Sequence, residues 1–248
     1  MNNKIKKIAV EMRNIYKSFG HIVALDNVDF CIYENEILGL VGDNGAGKST
    51  LIKILSGSYM PDKGDIYFYD KLVKINNPHE SNMLGIGTVY QDLALVDCLD
   101  VSRNLFLGRE PLISKVIVNK KKMDLESKEI IKRIHINIKS VNLIAGFLSG
   151  GQRQALAIGR TVSADRKILL LDEPTAALGI SETEQVFKII KQLKEEGRSI
   201  VIISHNLENV FSMVDRVFVL RQGKRVGDRL VNETTKDEIV GMITGAIK

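Results

Sequence analysis

Two short stretches carry the residue types that could handle a nucleoside triphosphate. The first, Gly42-Asp43-Asn44-Gly45-Ala46-Gly47-Lys48-Ser49-Thr50, fits G-x-x-x-x-G-K-[ST] in full. Glycines let such a loop wrap closely, so that its backbone N–H groups and the following helix N-terminus hold phosphate oxygens. In this pattern Lys48 reaches the β- and γ-phosphates and the Ser49 hydroxyl ligates Mg²⁺. The second stretch is Leu169-Leu170-Leu171-Asp172-Glu173-Pro174, an apolar run that ends in two adjacent carboxylates. A strand here delivers Asp172 to the C-terminal edge of its sheet, where it can hold Mg²⁺ through water. Glu173, one residue past the strand, can face a water in line with the γ-phosphate. Two acids that repel each other are tolerable where a metal ion neutralises one of them. The two stretches are the halves of a phosphoryl-transfer site.

Elements able to position these groups are legible on either side. Glu36–Val41 is a near-continuous apolar run, the pattern of a central strand buried on both faces. The glycine loop breaks it, and Ser49–Leu55 then reads as a helix that Gly57 ends. Upstream, Val28, Phe30 and Ile32 alternate with polar neighbours as in a half-buried strand. A turn at Pro61–Gly64 precedes strands over Ile66–Tyr69 and Leu72–Ile75. From about Val101 to Thr161 the pattern is mainly helical, with Met123, Ile130, Ile131 and Ile134 on one face. Strands then alternate with helices: Ile168–Leu171, Ile200–Ser204 and Val217–Leu220, with a last helix near Thr235–Thr244. Between the first two, Ser181 and Glu184 read as a capping box, and Val186, Ile189, Ile190 and Leu193 as the buried stripe. The alternation predicts an α/β fold with a mainly parallel sheet covered by helices.

Composition narrows the class. The chain has 248 residues, is 44% hydrophobic and carries a net charge of +5, so a sizeable core is available. The basic residues are spread along the chain, and the densest cluster, Lys120–Lys122, is too short for a nucleic-acid arm. No nucleic-acid partner is expected. Cys31 and Cys98 form no CxxC spacing, which fits a reducing compartment. The basic N-terminus lacks the apolar stretch of a leader, and no run approaches the ~18 apolar residues of a membrane span. Gly85-Ile86-Gly87 begins a dinucleotide-like pattern, but Tyr90 stands at its third glycine position.

At Leu148-Ser149-Gly150-Gly151-Gln152 the chain departs from a generic P-loop protein. With this LSGGQ run it resembles the ATP-binding subunits of ABC transporters, over about Ile8–Ile247. A serine hydroxyl and glycine N–H groups at a helix N-terminus suit a second phosphate clamp, and Ala155, Ile158, Gly159 and Val162 suit packing of that helix. The resemblance implies that Ser149, Gly150, Gly151 and Gln152 close on ATP held by the P-loop of a second copy. It also matches Gln91 to the Q-loop glutamine that senses Mg²⁺ and the attacking water, and His205 to the switch histidine at the γ-phosphate. Phe19 stands at the position of the aromatic that stacks on adenine, with Tyr16 as its competitor. The implied fold is a P-loop NTPase of ABC type: a mixed, mainly parallel core, an antiparallel β subdomain, and a helical subdomain at about 93–160. A single domain over 1–248 is expected, with neither transmembrane nor C-terminal accessory domain.

The stretches GDNGAGKST, VYQDLAL, NLFLGRE and EPTAALG are most similar to the ATPases of bacterial simple-sugar importers. Branched-chain amino-acid importers, the nearest alternative, usually have proline where this chain has Asp43. A soluble ABC ATPase acting on nucleic acid or the ribosome would carry coiled-coil arms or tandem domains, which are not seen. Two departures stand out. Asn35 replaces the common glycine before Glu36, and asparagine tolerates the left-handed conformation that turn needs. Gly179 replaces an aspartate that reaches across the dimer in most relatives, and its absence suits the sugar-importer subgroup. The resemblance further implies ATP and Mg²⁺ as ligands, Glu173 as the base, and a homodimer on integral-membrane permease subunits. An extracellular solute-binding protein acts indirectly, and the chain lies at the cytoplasmic face of the membrane.

Overall fold

The structure, a computed structural model, describes residues 7–114 and 116–247. Residues 1–6, where the basic N-terminal segment begins, lie outside that description. The chain divides into two compact units. One comprises residues up to Thr88, Lys167–Glu173 and Leu193 onward, and the other comprises Val89–Arg166 and Pro174–Gln192.

In chain order the first unit starts with β1 (Ile8–Phe19), β2 (Ile22–Tyr33), β3 (Ile37–Val41) and α1 (Lys48–Leu55). β4 (Lys63–Phe68), β5 (Lys71–Val73), α2 (Pro78–Met83) and β6 (Ile86–Val89) follow. The second unit holds α3 (Val101–Phe106), β7 (Leu112–Ile113), β8 (Ile117–Val118), α4 (Lys120–Arg133) and α5 (Gly150–Ser163). Next come β9 (Ile168–Asp172) of the first unit, α6 (Ile180–Glu195), which lies in the second up to Gln192, and then β10 (Ser199–Ile203) and α7 (Leu207–Phe211) of the first. β11 (Arg216–Arg221), β12 (Lys224–Leu230) and α8 (Lys236–Thr244) complete the first unit.

The six-stranded sheet runs β12-β11-β3-β10-β9-β6. β11, β3, β10 and β9 are mutually parallel, and β12 returns antiparallel. Every residue of β3 and β10, and the first four of β9, are buried, as strands covered on both faces require. A separate antiparallel sheet runs β2-β1-β4-β5. Val28, Phe30 and Ile32 alternate inward from β2 into a core shared with Leu38 and Leu40 of β3, Leu51 and Ile52 of α1, and Phe218. The Phe30 and Phe218 rings meet edge to face at 5.0 Å, the orientation their quadrupoles favour.

The turn into β3 has the backbone its sequence suggested. Asn35 sits at φ 57, and its N–H donates to Ser199 Oγ at 3.0 Å. The next residue, Glu36, is fully buried and faces Arg216 of β11. Arg216 donates to Glu36 at 2.7 and 3.2 Å, to Asp228 at 2.8 and 2.9 Å, and to the Cys31 carbonyl at 2.8 Å. Burial works against its charge, yet the bonds and charges of Glu36 and Asp228 hold its pKa above the ordinary arginine value. This network fastens the entry of β3 to β11 and β12.

In the second unit α3, α4 and α5 pack on one another. Met123, Ile131 and Ile134 are buried as expected, while Ile130 is half-buried. A side chain at Gly159 would come within 2.8 Å of Ile134 Cδ1, so glycine lets these segments approach. Two features differ from expectation. The mainly helical stretch is interrupted by the β7–β8 hairpin, whose Leu112, Ile113, Ile117 and Val118 are all exposed. With two-residue strands and no buried face, it lacks the periodicity that sequence reading depends on. The expected Ser181/Glu184 capping box is also displaced. α6 begins at Ile180, Thr183 N–H donates to the Gly179 carbonyl at 2.9 Å, and Glu182 reaches back to Gly179 N–H at 3.3 Å. Glu182 therefore occupies the third helical position, where a carboxylate can satisfy the cap N–H.

Candidate active site

The first unit gathers one set of groups at the C-terminal ends of three neighbouring parallel strands. β3 leads into the glycine loop, β9 ends at Asp172 and β10 ends just before Ser204 and His205. Two glycines of the loop are required by their surroundings. Gly42 has φ 149, and a Cβ there would lie 2.1 Å from the Leu220 carbonyl oxygen. Gly47 has φ 103, caps α1, and would bring a Cβ to 2.6 Å from the Ala24 carbonyl oxygen. With no side chain on that cap, the N–H groups of the first helical turn are left for an external acceptor. Asp43, Asn44, Gly45 and Ser49 are exposed along the loop, Gly47 and Thr50 are half-buried, and Ala46 is buried. A cavity of about 310 Å³ opens beside Gly42, Asp43 and Asn44, with Ser204 and His205 on its wall.

Lys48 is buried and folded back on the loop, donating to the carbonyls of Gly42 at 2.7 Å and Asp43 at 2.9 Å. Burial lowers its pKa, while Glu173, Asp43 and Asp172 act in the opposite direction. Asp172 shows the complementary imbalance. Burial and then the neighbouring Glu173 charge push its carboxyl up, against the pull of Lys53 and Lys48. A buried cation and a half-buried carboxylate beside a second acid thus share this sheet edge. Phosphate oxygens would relieve the first, and a hard divalent cation the second. Among the described residues no cluster of three or more His, Cys, Asp or Glu could hold a metal ion. Mg²⁺ takes one or two protein oxygens and keeps substrate phosphates and water for the rest. Ser49 and Asp172 are of that kind.

Glu173 has φ 50, a left-handed conformation that a glutamate adopts only at a cost of about 1–2 kcal/mol. Its N–H donates to the Ile203 carbonyl at 2.9 Å, so the strained residue is clamped to β10. The carboxylate turns toward the end of that strand. Oε1 lies 2.8 Å from His205 Nδ1 and accepts from His205 N–H at 3.1 Å. The His205 ring is itself exposed. Acid and histidine, 32 residues apart in sequence, therefore form one unit.

Phe19 ends β1 and is 43% exposed, with its ring edge-on to Tyr59 and Lys17 Nζ 5.4 Å from its centroid. Tyr16 lies within the strand, half-buried, with Lys63 Nζ over its ring. Of the two, Phe19 presents the more open face.

Gln91 and the LSGGQ residues lie in the second unit. Gln91 is exposed, and the chain after it is held by Arg160, which donates to the carbonyls of Leu93 and Ala94 at 3.1 and 2.9 Å. Ser149 caps α5. Its Oγ accepts from Gln152 N–H at 3.3 Å, and Gln152 Oε1 accepts from Ser149 N–H at 3.0 Å. The other end of the Gln152 amide donates to the Asn137 carbonyl at 2.6 Å, so this side chain is committed to the cap. Gly150 is exposed and Gly151 buried. Sequence reading missed Glu182, whose carboxylate accepts from Gly151 N–H at 3.1 Å. The available signal was its place three residues after Gly179, which the Ser181/Glu184 pattern obscured.

Residues 25–176 match the family described as ABC transporter. The chain is 45% identical to the xylose/arabinose import ATP-binding protein XylG of Sulfolobus acidocaldarius, covering 95% of this chain and 93% of the relative. It is 37% identical to the fructose import ATP-binding protein FrcA of Rhizobium meliloti, over 94% and 93% of the two chains. Against the ribose import ATP-binding protein RbsA of Clostridium tetani it is 42% identical, over 98% of this chain and 48% of the relative. The chain thus spans about half the length of its ribose-import relatives. Among solved structures, a nucleotide-free ATP-binding cassette from an ABC transporter superimposes with a TM-score of 0.83 and 27% identity, covering 96% and 95%. The dimeric post-hydrolysis cassette MJ0796, bound to ADP and Pi, does so with 0.76 and 26%, covering 90% and 98%.

Proposed function

This chain belongs to the ABC transporter family as an ATP-binding cassette, a transport-coupled ATPase, and from that premise we propose that it powers an importer for a simple sugar. The sugar assignment rests on the xylose/arabinose, ribose and fructose import relatives. The observation that carries the hydrolytic reading is the Glu173–His205 pair, set beside the imbalanced Lys48 and Asp172 at one sheet edge.

Two copies close head to tail; that copies pair at all is supported by the dimeric form of a related cassette. ATP then lies between the P-loop of one copy and Ser149, Gly150 and Gly151 of the other. Phe19 stacks on the adenine. The loop N–H groups and the N-terminus of α1 hold phosphate oxygens, and Lys48 turns from the Gly42 and Asp43 carbonyls to the β- and γ-phosphates. Glu173 Oε1 is engaged by His205, so Oε2 accepts the proton of the attacking water. His205 holds that carboxylate in place and faces the γ-phosphate. Ser49 and Asp172 would hold Mg²⁺, which when bound would neutralise charge on the phosphate oxygens. Gln91, in the second unit, reports the state of the site to the permease.

Permease subunits carry the sugar, a reading supported by the import ATP-binding relatives. An extracellular sugar-binding protein delivers it, and this chain works at the cytoplasmic face. The test is ATP turnover by the chain assembled with its permease. Turnover should rise when a simple sugar and its binding protein are added, and should be lost in Glu173→Gln. Stimulation by amino acids alone would overturn the sugar reading.

A further inference from the structure

The clamp at the start of α5 already holds an anion of this chain's own. Glu182 Oε1 accepts from Gly151 N–H at 3.1 Å, and Oε2 accepts from Gly179 N–H at 3.3 Å. The Gly151 N–H, then the nearby Ser149 hydroxyl and the Gly179 N–H, hold the carboxyl below the usual glutamate range. Ser149 can do this while capping, because a hydroxyl donates once and accepts twice. The fit is close. A Cβ on Gly151 would lie 2.9 Å from both Cβ and Cγ of Glu182, so glycine is needed at this position for the carboxylate to reach the helix end. Gly151 has no positive φ that would otherwise require it. Gly179 adds no side chain of its own and offers only its N–H.

Ser149 and Gly151 are the donors that the proposed mechanism gives to the γ-phosphate of ATP on the second copy. A carboxylate and a phosphate cannot share those donors, because both are acceptors and both are negative. We propose that Glu182 is a positioning residue that occupies the LSGGQ clamp in the separated chain and must be displaced by the γ-phosphate before two copies close on ATP. The carboxylate keeps the Ser149 hydroxyl and the Gly151 N–H oriented and satisfied while no nucleotide is present. Only a group that bonds these donors better, and that arrives with its own cations, dislodges it. ATP on the partner brings Lys48 and Mg²⁺ with it. ADP, which lacks the γ-phosphate, offers nothing to these donors, so the clamp reverts to Glu182 after hydrolysis and reopening is favoured. This inference rests on the head-to-tail reading above.

The test is the ATP concentration needed for half-maximal dimer formation by the full-length chain, measured by sedimentation in a Glu173→Gln background that prevents turnover. Glu182→Gln keeps the helix cap, since Glu and Gln serve equally at that position, but removes the competing charge. It should lower the required ATP about five- to tenfold, the difference expected when the hydrogen bonds that must be broken change from charge-assisted to neutral. A melting temperature equal to that of the parent would show that the fold is unchanged. Glu182→Ala, which loses the cap as well, should melt lower and still close at less ATP. An unchanged or higher ATP requirement in Glu182→Gln overturns the proposal. Ser149→Ala separates the two levels. If it weakens dimerisation while Glu182→Gln has no effect, the clamp stands and the displacement fails. If Ser149→Ala has no effect either, the head-to-tail clamp itself fails, and the displacement with it.

Discussion

Glu36→Gln is expected to be the most destabilising near-isosteric change in the strand that carries the P-loop. The Glu36 carboxylate is fully buried and accepts from Arg216 at 2.7 and 3.2 Å and from Tyr33 N–H at 2.7 Å. Glutamine has the same shape but no charge, and its amide donor would face the guanidinium in either orientation, because both carboxylate oxygens accept from Arg216. Removing one partner of a buried ion pair costs about 3–5 kcal/mol, because the other charge is left uncompensated. Asp228 still pairs with Arg216 at 2.8 Å, which places the cost near the lower end. At ~2–4 °C per kcal/mol for a domain of this size, a loss of about 3 kcal/mol lowers Tm by about 6–12 °C. Circular dichroism melts would measure it. ATP affinity, titrated well below the melting range, should be unchanged. Glu36 sits at the opposite end of β3 from Gly42, and the five-residue strand spans about 17 Å. A Tm within about 2 °C of the parent, a typical surface-substitution effect, would refute the role given to this network. So would a large loss of ATP affinity in the still-folded variant.

Two further substitutions test local features. Asp172→Asn should raise the Tm of the nucleotide-free chain by a few degrees while abolishing hydrolysis. A carboxyl whose folded pKa exceeds its unfolded value subtracts stability above both values. The gain should therefore be full at pH 8 and close as pH falls through the folded pKa toward the unfolded value near 3.9. Asn35→Ala should cost about 1–2 kcal/mol in urea unfolding, because alanine resists the left-handed backbone at φ 57. Asn35→Gly should remain within about 0.5 kcal/mol of the parent.

What sequence reading recovered were features written into consecutive residues. β3, β9 and β10 are unbroken apolar runs, and strands of that kind can be satisfied only inside a covered parallel sheet. The left-handed turn at Asn35 was legible because few non-glycine residues suit it. What it missed depends on partners far along the chain. Nothing near Glu36 marks it for Arg216, 180 residues away. Glu182 looked like one more acid on a helix, because its significance comes from Gly151, 31 residues upstream. The β7–β8 hairpin was hidden for a different reason: it buries neither face, so no periodicity records it.

The measurement that bears most directly on the central claim is ATP turnover by Glu173→Gln beside the unaltered chain, with ATP binding followed in parallel. Loss of a positioned general base costs about 10²–10⁴-fold, so turnover should fall by that factor while the variant still binds ATP and accumulates as a dimer. Turnover within a few-fold of the unaltered chain would contradict the assignment of Glu173 as the base, and with it the reading of this sheet edge as the hydrolytic centre.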